Sequence, residues 1–191
     1  KKKILNNIGV GRYPCEIDLD WEREIAYITN GDSNSLSIVD LKKNGLISQL
    51  LLGELPQGLI FANKYNRIYV ANMYEDKISI IDCKSKILIK EITVGNCPSY
   101  LLLSSDQKFL YVSNSHMDSE RGGFIAIVDL NKEKIIKRIR VGKIPRQMAM
   151  SPREDYLYIV NSTSNSISII NLQEGREIKR INTTTTAATP G

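Results

Sequence analysis

Short apolar runs of four to six residues, separated by polar turns at spacings near ten, fill the chain. Residues 141–181 show the unit. Gln147-Met148-Ala149-Met150 is short and apolar and is closed by Ser151-Pro152. Tyr156 to Val160 is aromatic and β-branched, the content of a strand. Asn161 to Asn165 is a polar turn, Ile167 to Ile170 is a third run, and Arg176 to Ile181 sets Ile178 and Ile181 among charges. This predicts a meander of four antiparallel strands. Equivalent runs fall at 15–19, 24–29, 36–39 and 46–50, at 58–62, 67–71, 78–81 and 87–92, and at 100–104, 109–113, 124–128 and 135–139. Lys132 to Arg140 has helical propensity but occupies a strand position in every other copy, so it too is read as a strand. The middle runs are apolar on both faces, which places each sheet between two others.

A second pattern fixes the period. Gly11-Arg12-Tyr13-Pro14 recurs as Gly53-Glu54-Leu55-Pro56, Gly95-Asn96-Cys97-Pro98 and Gly142-Lys143-Ile144-Pro145, at steps of 42, 42 and 47 residues. Thirteen residues after each proline stands a tyrosine, Tyr27, Tyr69, Tyr111 or Tyr158, and each opens a Tyr-x-x-Asn element. A fixed period near forty implies units that bury their faces only against one another. The glycine is expected to supply unusual backbone angles, and the proline to fix φ as a new strand begins. Asn30, Asn72, Asn114 and Asn161 are expected to bond their own turns, as are Asp40, Asp82, Asp129 and Asn171 after the third strand. The tyrosines are expected to be core rings whose hydroxyls reach a partner.

Gly-x-x-Pro, then Tyr-Val-x-Asn, then Ile-Ser-Ile-Ile-Asp at Ile78 to Asp82 resembles the YVTN family of β-propeller repeats. The resemblance runs from about Gly9 to Ile181 and implies an all-β propeller of four-stranded antiparallel blades, about four in this chain. The expected units are 8–50, 51–92, 93–139 and 140–181, with 1–7 as an extra outer strand and 182–191 as a Thr-rich linker or disordered tail. Relatives usually carry more blades, so a partial ring, or half of a larger one, is expected. Two copies pairing as a homodimer would give eight blades. The chain opens on Lys1 rather than Met, which suggests a trimmed chain.

Composition changes little. Hydrophobic content of 42% and charged content of 25% are ordinary for a globular protein. A net charge of +5 is spread over turns and outer strands, where it opposes edge-to-edge aggregation, so nucleic acid is not the expected partner. No apolar run is long enough for a membrane span. Cys15, Cys83 and Cys97 form no C-x-x-C pair; a bridge between Cys15 and Cys97 stays open as the alternative to free thiols. The resemblance implies a cell-surface, secreted or periplasmic protein, whereas the unpaired cysteines point to the cytoplasm.

Function is expected where the copies differ. Five extra residues fall between Asn114 and Phe124, in a loop holding His116, Asp118, Glu120 and Arg121. A glycine-ended loop is a poor metal cage, so neither metal nor cofactor is expected. That loop shares a face with the Gly-x-x-Pro links, giving Arg12, Tyr13, Glu54, Asn96, Lys143, Arg146 and Tyr74 as further candidates to bind a protein, peptide or glycan. The sequence has no G-x-S-x-G elbow, phosphate loop or H-E-x-x-H, which favours a non-enzymatic scaffold. The alternative is a lactonase-like hydrolase or redox-associated enzyme with its site at the central channel, where Glu16 and Asp18 are the acidic residues on an inner strand.

Overall fold

Sixteen strands make up four separate sheets in a computed structural model that describes residues 3–115 and 122–183. Blade one holds β1 (Pro14–Asp20), β2 (Ile25–Asn30), β3 (Ser35–Asp40) and β4 (Gly45–Leu51). Blade two holds β5 (Pro56–Ala62), β6 (Arg67–Asn72), β7 (Lys77–Asp82) and β8 (Ile87–Thr93). Blade three holds β9 (Pro98–Leu103), β10 (Phe109–Asn114), β11 (Phe124–Asp129) and β12 (Lys134–Arg140). Blade four holds β13 (Pro145–Met150), β14 (Tyr156–Asn161), β15 (Ser166–Asn171) and β16 (Arg176–Asn182). Each sheet is an antiparallel meander in chain order. Among the described residues the fold is thus all-β, with a one-turn 3-10 segment at Asn63–Tyr65.

The inner strands stand in a row: β1 beside β5, β5 beside β9, and β9 beside β13. Three apolar clusters fill the gaps between blades. Tyr27, Leu36 and Ile38 meet Leu59, Ile68, Val70 and Ile81. Tyr69, Ile78 and Ile80 meet Leu101, Leu110, Val112 and Val128. Tyr111, Ile125 and Ile127 meet Met148, Leu157, Ile159 and Ile170. The repeat tyrosine is always the side chain that reaches forward into the next blade. Burial raises the hydroxyl pKa of Tyr69 and of Tyr111 to about 12. Tyr158 has no next blade before it and is 39% exposed.

Three expectations are corrected. The N-terminal outer strand does not form: residues 3–10 join no sheet, and Ile8 and Val10 instead lie against Ala26, Ile28 and Val39 of blade one. The outer position of blade four is already filled by β16, and the segment covers apolar surface of blade one instead. The link glycines serve space rather than backbone angle. Only Gly95 of the four has positive φ, whereas a Cβ on Gly11, Gly53 or Gly142 would stand less than 3.0 Å from side-chain atoms of Asn30 and Ser33, of Glu75 and Asn72, or of Asn161 and Ser164. Finally, the repeat asparagines bond mainly across the hairpin rather than within their own turn. Nδ2 of Asn30, Asn72 and Asn161 donates to Oγ of Ser37, Ser79 and Ser168 at 2.8–2.9 Å. Blade three has Ala126 in place of the serine, and Asn114 donates to the Val112 carbonyl instead. Asp40, Asp82, Asp129 and Asn171 do close their turns, each accepting a backbone N–H from two or three residues on.

Candidate functional site

The site begins with a break in register. Just after its opening proline every inner strand carries a β-bulge: between Pro14 and Ile17, between Pro56 and Leu59, opposite the Ser113–Asn114 step, and between Pro145 and Met148. A bulge re-aims the side chains it contains. Here four bulges aim at one place, because Cys15, Glu16, Gln57, Gly58, Ser99, Arg146 and Gln147, joined by Tyr100, line a single cavity of about 120 Å³ at the channel mouth. Hydroxyls hold two bulges in shape. Thr29 Oγ1 accepts from Glu16 N at 3.1 Å and donates to the Gln57 carbonyl at 2.6 Å, tying blade one to blade two. Ser113 Oγ accepts from Tyr100 N at 3.0 Å and meets Ser99 Oγ at 3.1 Å.

Burial, and then the charge of Asp18, pushes the Glu16 carboxyl above its usual range. Burial and the Glu16 charge push up the Tyr100 hydroxyl. Asp18 itself is occupied structurally: its oxygens accept from Leu19 N at 2.8 Å and from Phe61 N of blade two at 2.7 Å. Arg146 supplies an exposed positive charge from the opposite side of the mouth. The mouth is thus small, polar and of mixed sign.

A raised Glu16 pKa means that the folded state holds its proton to higher pH than the unfolded state does. That residue therefore costs stability as pH rises through the window between the two values. Glu16→Gln is expected to stabilise the chain at pH 7 by a few tenths of a kcal/mol to about 1 kcal/mol, after allowance for solvent screening. Urea titrations at pH 7 and pH 3 check this, since the gain vanishes at pH 3 where both forms are neutral.

The loop face adds a second feature. Tyr13, Leu55, Cys97 and Ile144, the residues before the four link prolines, all have left-handed φ, at 55°, 51°, 47° and 48°. This conformation is disfavoured before proline and is held here by an identical bond in each copy. Their carbonyls accept from the N–H of Gly31, Met73, Ser115 and Ser162 at 2.8–3.3 Å. Between blades two and three this turn borders a wider cleft of about 400 Å³, lined by Glu54, Met73, Tyr74, Asp76, Asn96 and Cys97.

Of the candidates read from sequence, Glu54, Tyr74 and Asn96 come together in this cleft, and Arg146 joins Glu16 at the mouth. Arg12 and exposed Tyr13 sit on the first link, and half-buried Lys143 on the fourth. His116, Asp118, Glu120 and Arg121 lie outside the described residues. Cys15, Gln57, Ser99 and Gln147 were missed as a group, although their shared position one or two residues after each link proline was a visible signal. All three cysteines are free, and burial raises the thiol pKa of each, that of Cys83 to about 11. Among the described residues, no group of three or more His, Cys, Asp or Glu is placed to hold a metal, and no helix is long and apolar enough to cross a membrane.

Four sheets in radial succession, with one cavity where their inner strands begin, define a β-propeller. The lactonase, 7-bladed β-propeller family model matches residues 56–191, and the chain belongs to that family. No curated protein matches. Among solved structures, the chain is similar to Kuenenia stuttgartiensis hydrazine synthase, at 23% identity and a TM-score of 0.81 over 94% of this chain and 52% of that one. It is also similar to the dihydro-heme d1 dehydrogenase NirN in complex with DHE, at 15% identity and 0.73 over 91% and 38%. A functionally unknown protein from Desulfotomaculum acetoxidans gives 16% identity and 0.74 over 90% and 58%. The chain therefore spans between about two fifths and three fifths of each, and the likeness is one of fold.

Proposed function

We propose that this chain is a non-enzymatic recognition scaffold that holds a polar loop of a protein or peptide, or a glycan, against its link face. The observation that carries this reading is the bulge-built mouth, where amides, hydroxyls, Glu16 and Arg146 converge without a nucleophile–base pair. The Glu54–Tyr74–Asn96 cleft beside it offers an exposed aromatic ring and hydrogen-bonding groups to the same ligand. An array of peptides and glycans tests it. Arg146→Glu with Tyr74→Ala is expected to weaken any bound member at least tenfold, as loss of aromatic and arginine anchors does at interfaces. Binders indifferent to both changes would sink the reading. The YVTN-type affiliation, and placement at the cell envelope or outside the cell, rest on the repeat motifs alone; fractionation of the native host tests the placement.

One observation favours a second reading, hydrolysis of a lactone. Glu16 is a carboxyl of raised pKa in the mouth, the setting in which a general base is tuned, and the family's own description names lactonases. In that reaction Glu16 takes a proton from water as the oxygen adds to the lactone carbonyl, and the ring C–O bond breaks with that proton passed to the leaving ring oxygen, which releases a hydroxy acid and restores the carboxylate. Acid release from simple γ- and δ-lactones, followed at constant pH and abolished in Glu16→Gln, would establish it. No release by the parent chain would remove it.

A further inference from the structure

The four outer strands are alike in shape and unlike in charge. Each carries a β-bulge whose extra residue is an isoleucine: Ile47 in β4, Ile89 in β8, Ile136 in β12 and Ile178 in β16. These side chains are 39%, 42%, 47% and 40% exposed. Ile89 and Ile136 belong to blades with a further blade beside them, so exposure at this station is a property of the rim. Charge, by contrast, differs between copies. β4 carries none, and in β8 Lys90 and Glu91 cancel. β12 carries Lys134, Lys137, Arg138 and Arg140 with no carboxylate, and β16 carries Arg176, Lys179 and Arg180 against Glu177. Together the two strands hold a net +6, more than the +5 of the whole chain.

β12 and β16 are in contact, so these charges form one patch. Arg176 and Arg180 pair with Glu174 and Glu177. Among the described residues, Lys134, Arg140 and Lys179 have no carboxylate partner. Lys137 Nζ reaches only the Glu174 carbonyl at 3.5 Å, and Arg138 lies over the Phe124 ring.

We propose that the rim of blades three and four rests on a bilayer surface rich in anionic phospholipid. The free cations meet the headgroup charges, and Ile136 and Ile178 enter the boundary between headgroups and acyl chains. Nucleic acid fits less well, because exposed aliphatic side chains stand among the cations and neither strand carries an aromatic ring on which a base could stack. An acidic peptide fits less well too, because the bulges interrupt the edge hydrogen bonds that an added strand needs. Docking by the rim leaves the link face and the mouth uncovered, so this inference does not depend on what the mouth binds.

Co-sedimentation of the 191-residue chain with phosphatidylcholine vesicles, with and without a quarter of phosphatidylserine, tests it. Binding is expected only with phosphatidylserine, and it should weaken as salt rises. Lys134→Gln with Lys179→Gln should weaken it about tenfold or more, while Lys42→Gln with Lys43→Gln, the same charge change on blade one, should leave it within about twofold. Ile136→Ser with Ile178→Ser should weaken vesicle binding several-fold. All these positions are exposed, and circular dichroism should show the fold intact in each variant. No sedimentation of the parent chain overturns the proposal. So does equal loss in the rim and blade-one lysine variants, which would mean a general attraction of unlike charges. Indifference to the serine pair, or tighter binding to duplex DNA than to the vesicles at the same salt, assigns the patch to another polyanion and also overturns it.

Discussion

Tyr69→Ala is expected to lower the unfolding free energy by about 3–5 kcal/mol, while Tyr158→Ala costs less than about 1 kcal/mol in the single chain. The two residues hold the same place in the repeat, but Tyr69 is fully buried between blades two and three among Leu101, Leu110 and Val112. Its loss leaves a cavity that two rigid sheets cannot close, so the cost combines lost transfer energy with lost packing. The ring of Tyr158 already faces solvent on one side. Urea unfolding followed by tyrosine fluorescence or circular dichroism measures both. Equal losses would mean that each blade is stable by itself, and the shared-wall account of this fold would fail.

Gly58→Val is expected to cost about 3 kcal/mol, by overpacking rather than by backbone angle. Gly58 has an ordinary φ, yet a Cβ there would stand 2.6 Å from the Ser99 carbonyl oxygen and 3.1 Å from Tyr100 Cα. Both are backbone atoms of the neighbouring inner strand, so relief requires blades two and three to part. Gly45→Ala is the control, since the nearest atom to its Cβ is 3.9 Å away, and a change within about 0.5 kcal/mol is expected. Gly58 also lines the mouth, so under the recognition reading proposed above its valine variant should lose binding along with stability, whereas the Gly45 variant should lose neither.

Strand positions and the shared core were legible because period-two patterning and a forty-residue repeat both report burial directly. The reasons behind individual residues were less so. Gly11 and Asn30 looked like separate turn devices, but they are in contact, and only the three-dimensional crossing of link and hairpin reveals that one makes room for the other. Sequence also gives Tyr27, Tyr69, Tyr111 and Tyr158 one identity, while their surroundings differ with place in the row. The channel mouth was the least readable part. A bulge is a slip in pairing between two strands, so the place of Gln57 and Ser99 just after a link proline marked them as equivalent but not as aimed at one cavity.

Four link turns share one backbone posture, one proline and one carbonyl anchor, yet carry Tyr13, Leu55, Cys97 and Ile144 at the same station. The posture is therefore set by the frame and not by the side chain that stands on it. One frame thus carries a tyrosine, a leucine, a cysteine and an isoleucine at one station, so the copies can diverge there in chemistry while keeping a common geometry.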